Sequence, residues 1–172
     1  MYDLSAHIRP EPRLFDLPEK KLIGTRLKMS LAQDRTIDLW RKFMPLRKQI
    51  KNKVDEKLIS MQVYEENFGF DSFNEHTVFE KWACVEVHDF SSVPAEFETY
   101  FLKGGLYGVF HHRGAMDTAP QTWHYIFKVW LPASLYELDE REHFEVLDEN
   151  YKNHDQDAEE EVWVPRRVKL RA

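Results

Sequence analysis

The chain has 172 residues, a formal net charge of -6, 42% hydrophobic and 14% aromatic side chains, and a mean hydropathy of -0.61. That length suits one compact domain or two small halves sharing a core, and the acidic balance argues against non-specific nucleic-acid binding, which rests on neutralising phosphates with Lys and Arg. No apolar run approaches a membrane span, Met1–Ser5 has neither a basic start nor an apolar core, and the lone Cys84 has no partner for an internal disulfide, so the cytoplasm is the expected compartment.

Pro12 to Ser30 reads as extended, broken at Leu17-Pro18-Glu19, where Pro18 has no N–H for a ladder and predicts a bulge or an edge position. A helix follows. Asp34 is its expected N-cap, and Ile37, Trp40, Phe43, Met44 and Ile50 recur at three-to-four spacing. Pro45 falls inside that pattern and predicts a kink or a break. The basic residues between Arg41 and Lys57 sit at helical spacing and read as a solvated face. Leu58 to Tyr64 alternates as a strand, Glu65 to Thr77 with Gly69 and Asn74 reads as a long loop, and Lys81 to His88 is a strand. Ser91-Ser92-Val93-Pro94 is the clearest linker in the chain.

Beyond the linker the order repeats. Strands at about 96–102 and 107–112 join at Gly104-Gly105, and a helix runs from about Asp117 to Leu131 with Trp123, Ile126, Phe127 and Trp130 on one side. Pro120 suits its first turn and Pro132 stops it. Phe144–Glu149 and Glu160–Val168 are the last strands, separated by the polar run Asn150–Glu159. Two echoes support a duplication. Leu39-Trp40-Arg41-Lys42-Phe43-Met44-Pro45 matches Ile126-Phe127-Lys128-Val129-Trp130-Leu131-Pro132 in hydrophobic pattern, and Leu22-Ile23-Gly24 matches Leu106-Tyr107-Gly108. The expectation is a single domain over 1–172 with pseudo-repeat halves at about 12–90 and 95–168. Its class is α+β: duplicated strand-helix-strand-strand halves form an antiparallel sheet, with helices on one face and a ligand cleft between the halves.

Side chains alternate faces along a strand, so each strand divides into two sets. In Lys81–His88 one face carries Ala83, Val85 and Val87, and the other carries Trp82, Cys84, Glu86 and His88. In the last strand Val162 and Val164 share one face, and Glu161 and Trp163 the other. The aliphatic faces suit packing under helices. If the opposite faces turn inward, they form a cleft of tryptophans and carboxylates, suited to a flat, apolar and often cationic ligand. The competing reading is that these faces simply meet solvent.

Other residue types carry less. His111-His112 are neighbours on a strand and point apart, so they do not share an ion, and no close His/Cys/Asp/Glu motif predicts a metal site or a cofactor. Cys84 in mid-strand reads as a small buried hydrophobe rather than a nucleophile. No Gly-x-Ser-x-Gly elbow and no phosphate-binding glycine loop occurs. The helix aromatics Trp40, Phe43, Trp123 and Trp130 are most simply core, and Trp123 is also kept among the ligand-contact candidates.

Trp130-Leu131-Pro132, Tyr136-Glu137-Leu138, His143-Phe144-Glu145 and Glu161-Val162-Trp163-Val164-Pro165 form a series. It resembles the pattern of the GyrI-like small-molecule-binding domain, the effector-binding domain of AraC-type and multidrug-sensing regulators. That pattern has a helix ending in Trp-Leu-Pro, a Tyr-Glu-Leu loop, a Phe-Glu strand and a Glu-aromatic-Pro final strand. The resemblance implies a ligand between the halves, contacted by aromatics and an acid, and carries over to Glu145, Glu161 and Trp163; the face argument adds Trp82 and Glu86. Trp163 stands where tyrosine is common, which removes a phenol from that position. The loop Glu65–Thr77 and the acidic stretch Asp155–Glu161 are longer or more charged than the pattern, which reshapes the cleft mouth. The leading expectation is stand-alone binding of lipophilic, cation-capable aromatic small molecules, for sequestration, sensing or resistance. The resemblance also implies two alternatives. One is hydrolysis of cyclopropane-type compounds with Glu145 or Glu161 as general base; the other is a gyrase-inhibitor-like protein interaction. The expected partner is a small molecule, with no direct nucleic-acid or membrane contact, and with a homodimer or protein partner left open through an edge strand.

Overall fold

The computed structural model describes residues 11–114, 119–149 and 158–170, so Met1–Ser5, the helix start expected at Asp117 and most of the run Asn150–Glu159 lie outside the described residues. The elements in order are β1 (Arg13–Leu17), β2 (Lys20–Met29), α1 (Thr36–Leu46), β3 (Leu58–Val63), β4 (Phe79–Val87), β5 (Glu98–Leu102) and β6 (Gly105–Arg113). Then come α2 (Ala119–His124), a π-helical stretch (Tyr125–Trp130), α3 (Leu131–Ala133), β7 (Tyr136–Leu138), β8 (His143–Leu147) and β9 (Glu159–Val168). Local chemistry sets the ends. The N-cap of α1 is Arg35, one residue past the expected Asp34, and its side chain makes no capping hydrogen bond; Asp34 accepts the Thr36 N–H at 2.9 Å and the Thr36 hydroxyl at 2.6 Å from just outside the helix. Pro45 lies one residue from the end of α1, and the chain tightens into a 3-10 turn at Arg47–Gln49, so this proline ends the helix instead of kinking its middle. Tyr136-Glu137-Leu138, expected as a loop, is a short strand paired with the last part of β9 (Tyr136 opposite Val168), because that part of β9 extends past β6 and offers a free edge.

Among the described residues the sheet is antiparallel, in the order β1-β6-β9-β8-β3-β4-β2-β5, with β7 attached to β9. Each half contributes strand-helix-strand-strand, and the halves meet where β3 pairs with β8. Their leading strands are exchanged: β1 pairs with β6 of the second half, and β5 with β2 of the first. This exchange curls the sheet. β1 and β2 are six strand positions apart, about 29 Å if the sheet were flat, yet only Pro18 and Glu19 join them, and three residue steps reach about 11 Å. The mirror connection is Lys103-Gly104, and the two cross side by side. A Cβ on Gly104 would stand 2.1 Å from the Leu17 carbonyl oxygen, and its φ of +78° is one that only glycine adopts freely.

The curl gives the sheet an outer side and an inner side. The outer side carries the helices: α1 packs Leu39 and Phe43 on Ile23, Phe79, Ala83, Val85 and Val87, and the helix of the second half packs Ile126 on Phe110, Val162 and Val164. The inner side has its own cluster, which includes Leu17 from one sheet edge and Leu102 from the other, along with Trp82, Cys84, Tyr107, Phe144 and Trp163. No helix among the described residues is long and apolar enough to cross a membrane.

Candidate functional site

Strand register places one line of side chains straight across the inner side: Arg13, Val109, Trp163, Phe144, Met61, Trp82, Arg26. Paired residues share a face, so alternation within β4 and β9 is what delivers both tryptophans to it. Phe144 and Trp163 stack at 5.1 Å and 15°, Tyr107 meets both edge-on at 5.3 and 5.8 Å, and Trp82 meets Tyr100 at 5.2 Å. An arginine ends the line on each side. Arg13 lies over Phe15 at 5.7 Å and 3.7 Å from Glu161; Arg26 lies over Trp82 at 5.7 Å and is paired with Glu80 and, at 3.1 Å, with Glu98.

A carboxylate sits among these rings. Glu142, just ahead of β8, is 9% exposed; its Oε1 accepts the Tyr100 hydroxyl at 2.7 Å and its backbone carbonyl accepts the Tyr107 hydroxyl at 2.8 Å. Burial, and then Glu142, push both phenols above their ordinary range, so they stay protonated donors. Among the described residues Glu142 Oε2 is buried with no hydrogen-bond partner, and so is the Trp82 indole N–H. Orphaned buried polar atoms are rare in packed proteins and mark places where a further group belongs. The closed corner beside them is held by Arg141, which lies over Tyr107 at 4.7 Å, pairs with Asp139 at 2.7 Å and donates to the Gly104 and Leu106 carbonyls at 2.8 and 2.5 Å.

The sequence-derived candidates divide between the two sides. Trp82, Trp163, Glu161 and Glu86 are on inner-facing positions; Glu161 accepts the Trp163 indole N–H at 3.0 Å, and Glu86 is half-buried and paired with Lys20 at 2.9 Å. Glu145 and Trp123 are on the outer side. Glu145 alternates with inner-facing Phe144 and pairs with Val162, beside Glu160, whose carboxyl burial and then Glu145 push up to about 9. Trp123 lies on α2 itself and stacks on Phe127 of the π-helical stretch at 5.6 Å. Cys84 is fully buried, burial pushes its thiol up, and it donates to the Ile59 carbonyl at 3.5 Å. Sequence reasoning missed Glu142, Tyr100, Tyr107 and Arg26. Glu142 lies in the run Glu140-Arg141-Glu142-His143, which reads as solvated, and Tyr100 reaches it from 42 residues upstream only because the sheet edges meet.

Residues 10–167 match the family model described as the GyrI-like small molecule binding domain. The chain belongs to that family. The GyrI-like domain here is similar in fold to the EcmrR C-terminal domain, with a TM-score of 0.69 at 13% identity over 94% of this chain and 99% of that one. It is similar to SAV2435 bound to tetraphenylphosphonium, with a TM-score of 0.67 at 16% identity over 91% and 94%. A hydrolase encoded by lin2189 from Listeria innocua gives a TM-score of 0.58 at 11% identity over 93% of each chain. No curated protein matches this GyrI-like domain in sequence. Identities this low establish the shared fold alone.

Proposed function

We propose that this domain binds lipophilic organic cations bearing aromatic groups on the inner side of its sheet. The observation that carries the reading is Glu142 Oε2, a buried carboxylate oxygen without a partner among Tyr100, Tyr107 and the stacked rings. Aromatic faces attract a cation through their quadrupole, and a desolvated carboxylate gives that attraction its charge selectivity. The ligand in the SAV2435 structure, tetraphenylphosphonium, belongs to that chemical class, which supports the reading. In cells the role is sequestration or sensing of such compounds.

Calorimetric titration with tetraphenylphosphonium and with neutral triphenylphosphine oxide tests it. Glu142→Gln keeps an acceptor for Tyr100 but removes the charge, and is expected to weaken cation binding about 10- to 100-fold, the worth of a charge–charge attraction without a hydrogen bond in a partly desolvated site, with the neutral compound little affected. Unchanged cation affinity in that variant would sink the role of Glu142. A hydrolytic reading uses the same carboxylate as general base toward a water, with the Tyr100 and Tyr107 hydroxyls as donors, and is favoured by the fold shared with the lin2189 hydrolase. Turnover of a strained electrophile, abolished by Glu142→Gln, is its signature.

A further inference from the structure

Access to Trp82 is controlled from one end of the inner line. The indole is 4% exposed, and the group lying on its ring is the Arg26 guanidinium, whose side chain is 44% exposed. Arg26 is held there by the register of β2 on β4, which places it directly opposite Trp82, and by Glu80 and Glu98 on the flanking strands. We propose that Arg26 is a specificity-determining residue: it is an internal cation seated on Trp82, and a ligand cation binds by taking its place. This rests on the reading of the inner side as a cation site.

The exchange is favourable on physical grounds. The Arg26 pair with Glu98, at 44% and 50% exposure, holds weakly, and the closer pair with Glu80, whose side chain is 27% exposed, is the contact a ligand cation has to replace. A lipophilic cation brings the same attraction to the indole face and adds apolar area removed from water, which Arg26 lacks. Once Arg26 turns outward, Glu80 and Glu98 face the bound cation without their internal counter-charge. Arg13, at the far end, differs in kind: its side chain is 61% exposed and it covers Phe15 instead of a tryptophan.

The test is tetraphenylphosphonium titration of Arg26→Met, Arg26→Lys and the control Arg35→Met beside Glu142→Gln. Arg26→Met is expected to bind the cation about fivefold tighter or more, because the competing cation–π contact is gone. Arg26→Lys, which keeps the charge but not the planar fork, falls between wild type and Arg26→Met, and Arg35→Met, which breaks only an exposed pair with Asp38, stays at wild type. In a Trp82→Phe background the gain from Arg26→Met shrinks, which a merely structural role for Arg26 would not produce. In ligand-free protein labelled with 5-fluorotryptophan, the Trp82 fluorine resonance moves in Arg26→Met and holds its place in Arg35→Met. If Glu142→Gln weakens the cation but Arg26→Met does not tighten it, the Arg26 proposal is wrong and the site reading stands. If neither substitution changes cation binding, the site reading is wrong and the Arg26 proposal goes with it.

Discussion

The outer and inner sides of the sheet use the same strands for opposite purposes. On the outer side β2 and β4 contribute Ile23, Ala83, Val85 and Val87 to a core sealed by Leu39 and Phe43 of α1. On the inner side the same two strands contribute Trp82, Glu80, Glu86 and Arg26, none covered by a helix. The outer side takes most of its free energy from apolar burial, with His143 Nε2 as a buried exception; the inner side places an orphaned carboxylate oxygen and an orphaned indole N–H next to aromatic rings. A two-residue period thus separates positions under the helices from the positions proposed to meet a ligand. The separation is less clean in the second half, where Trp123, Phe127 and Trp130 stay partly exposed around a π-helical stretch, a feature that recurs at functional sites.

The sharpest way to test that division is to cut into the outer side. Phe43→Ala empties a fully buried ring position beneath α1 and is expected to cost about 3–5 kcal/mol in urea unfolding, while folded variant keeps the wild-type preference for cation over neutral ligand. Loss of that preference would mean the two sides are not separable. Next in size is Gly24→Ala on the inner side. A Cβ there would stand 2.2 Å from the Ala83 carbonyl oxygen and 2.4 Å from Cys84 Cβ, both backbone-anchored. The strands must shift, at an expected cost of about 1–3 kcal/mol, with ligand affinity falling in parallel.

Smaller effects come from pH and belong to the outer side. Burial, then Arg141 and Lys81, hold the His143 imidazole down to about 3. The unfolded chain therefore takes up a proton that the folded state refuses, and stability falls as pH drops from about 6.5 toward 3. Glu160 has the opposite sign. With its carboxyl up at about 9, the folded state keeps a proton that the unfolded chain releases above its usual 4.5, so stability falls as pH rises through that window, by at most about 1.4 kcal/mol per pH unit. Glu160→Gln is expected to flatten the urea midpoint against pH above about 6.5, where Glu160 acts without His143, and to leave the slope below about 4.5 alone; an unchanged slope above about 6.5 would remove Glu160 as its cause. The smallest effect is expected for Glu86→Gln, which removes a half-buried pair with Lys20 and should change stability by about 1 kcal/mol or less.

Much of the scaffold was legible because it follows from local rules. The alternation in Lys81–His88 and in the last strand separates aliphatic from aromatic-acidic positions, and the structure puts the aliphatic sets under the two helices. The same rule puts His143 and Glu145 together on the face opposite Phe144, and which of the two faces is inward was settled only by the packing of Phe144 against Trp163. Glu142 was missed for a different reason. One residue ahead of a strand, in a charged run, nothing local distinguishes a solvated carboxylate from a buried one.

What the sequence by itself determined is the set of elements and the two-sided character of each strand, since propensity, proline and glycine placement, and two-residue periodicity act over a few residues. The tertiary structure alone decided which strands became neighbours. The exchange of β1 and β5 between halves is invisible locally, because Pro18-Glu19 and Lys103-Gly104 would serve as ordinary tight turns just as well. Only the global requirement to close the sheet's edges over a common apolar interior selects the exchange. That closure is what brings Tyr100 to Glu142, so the chemistry of the site was decided at the same step.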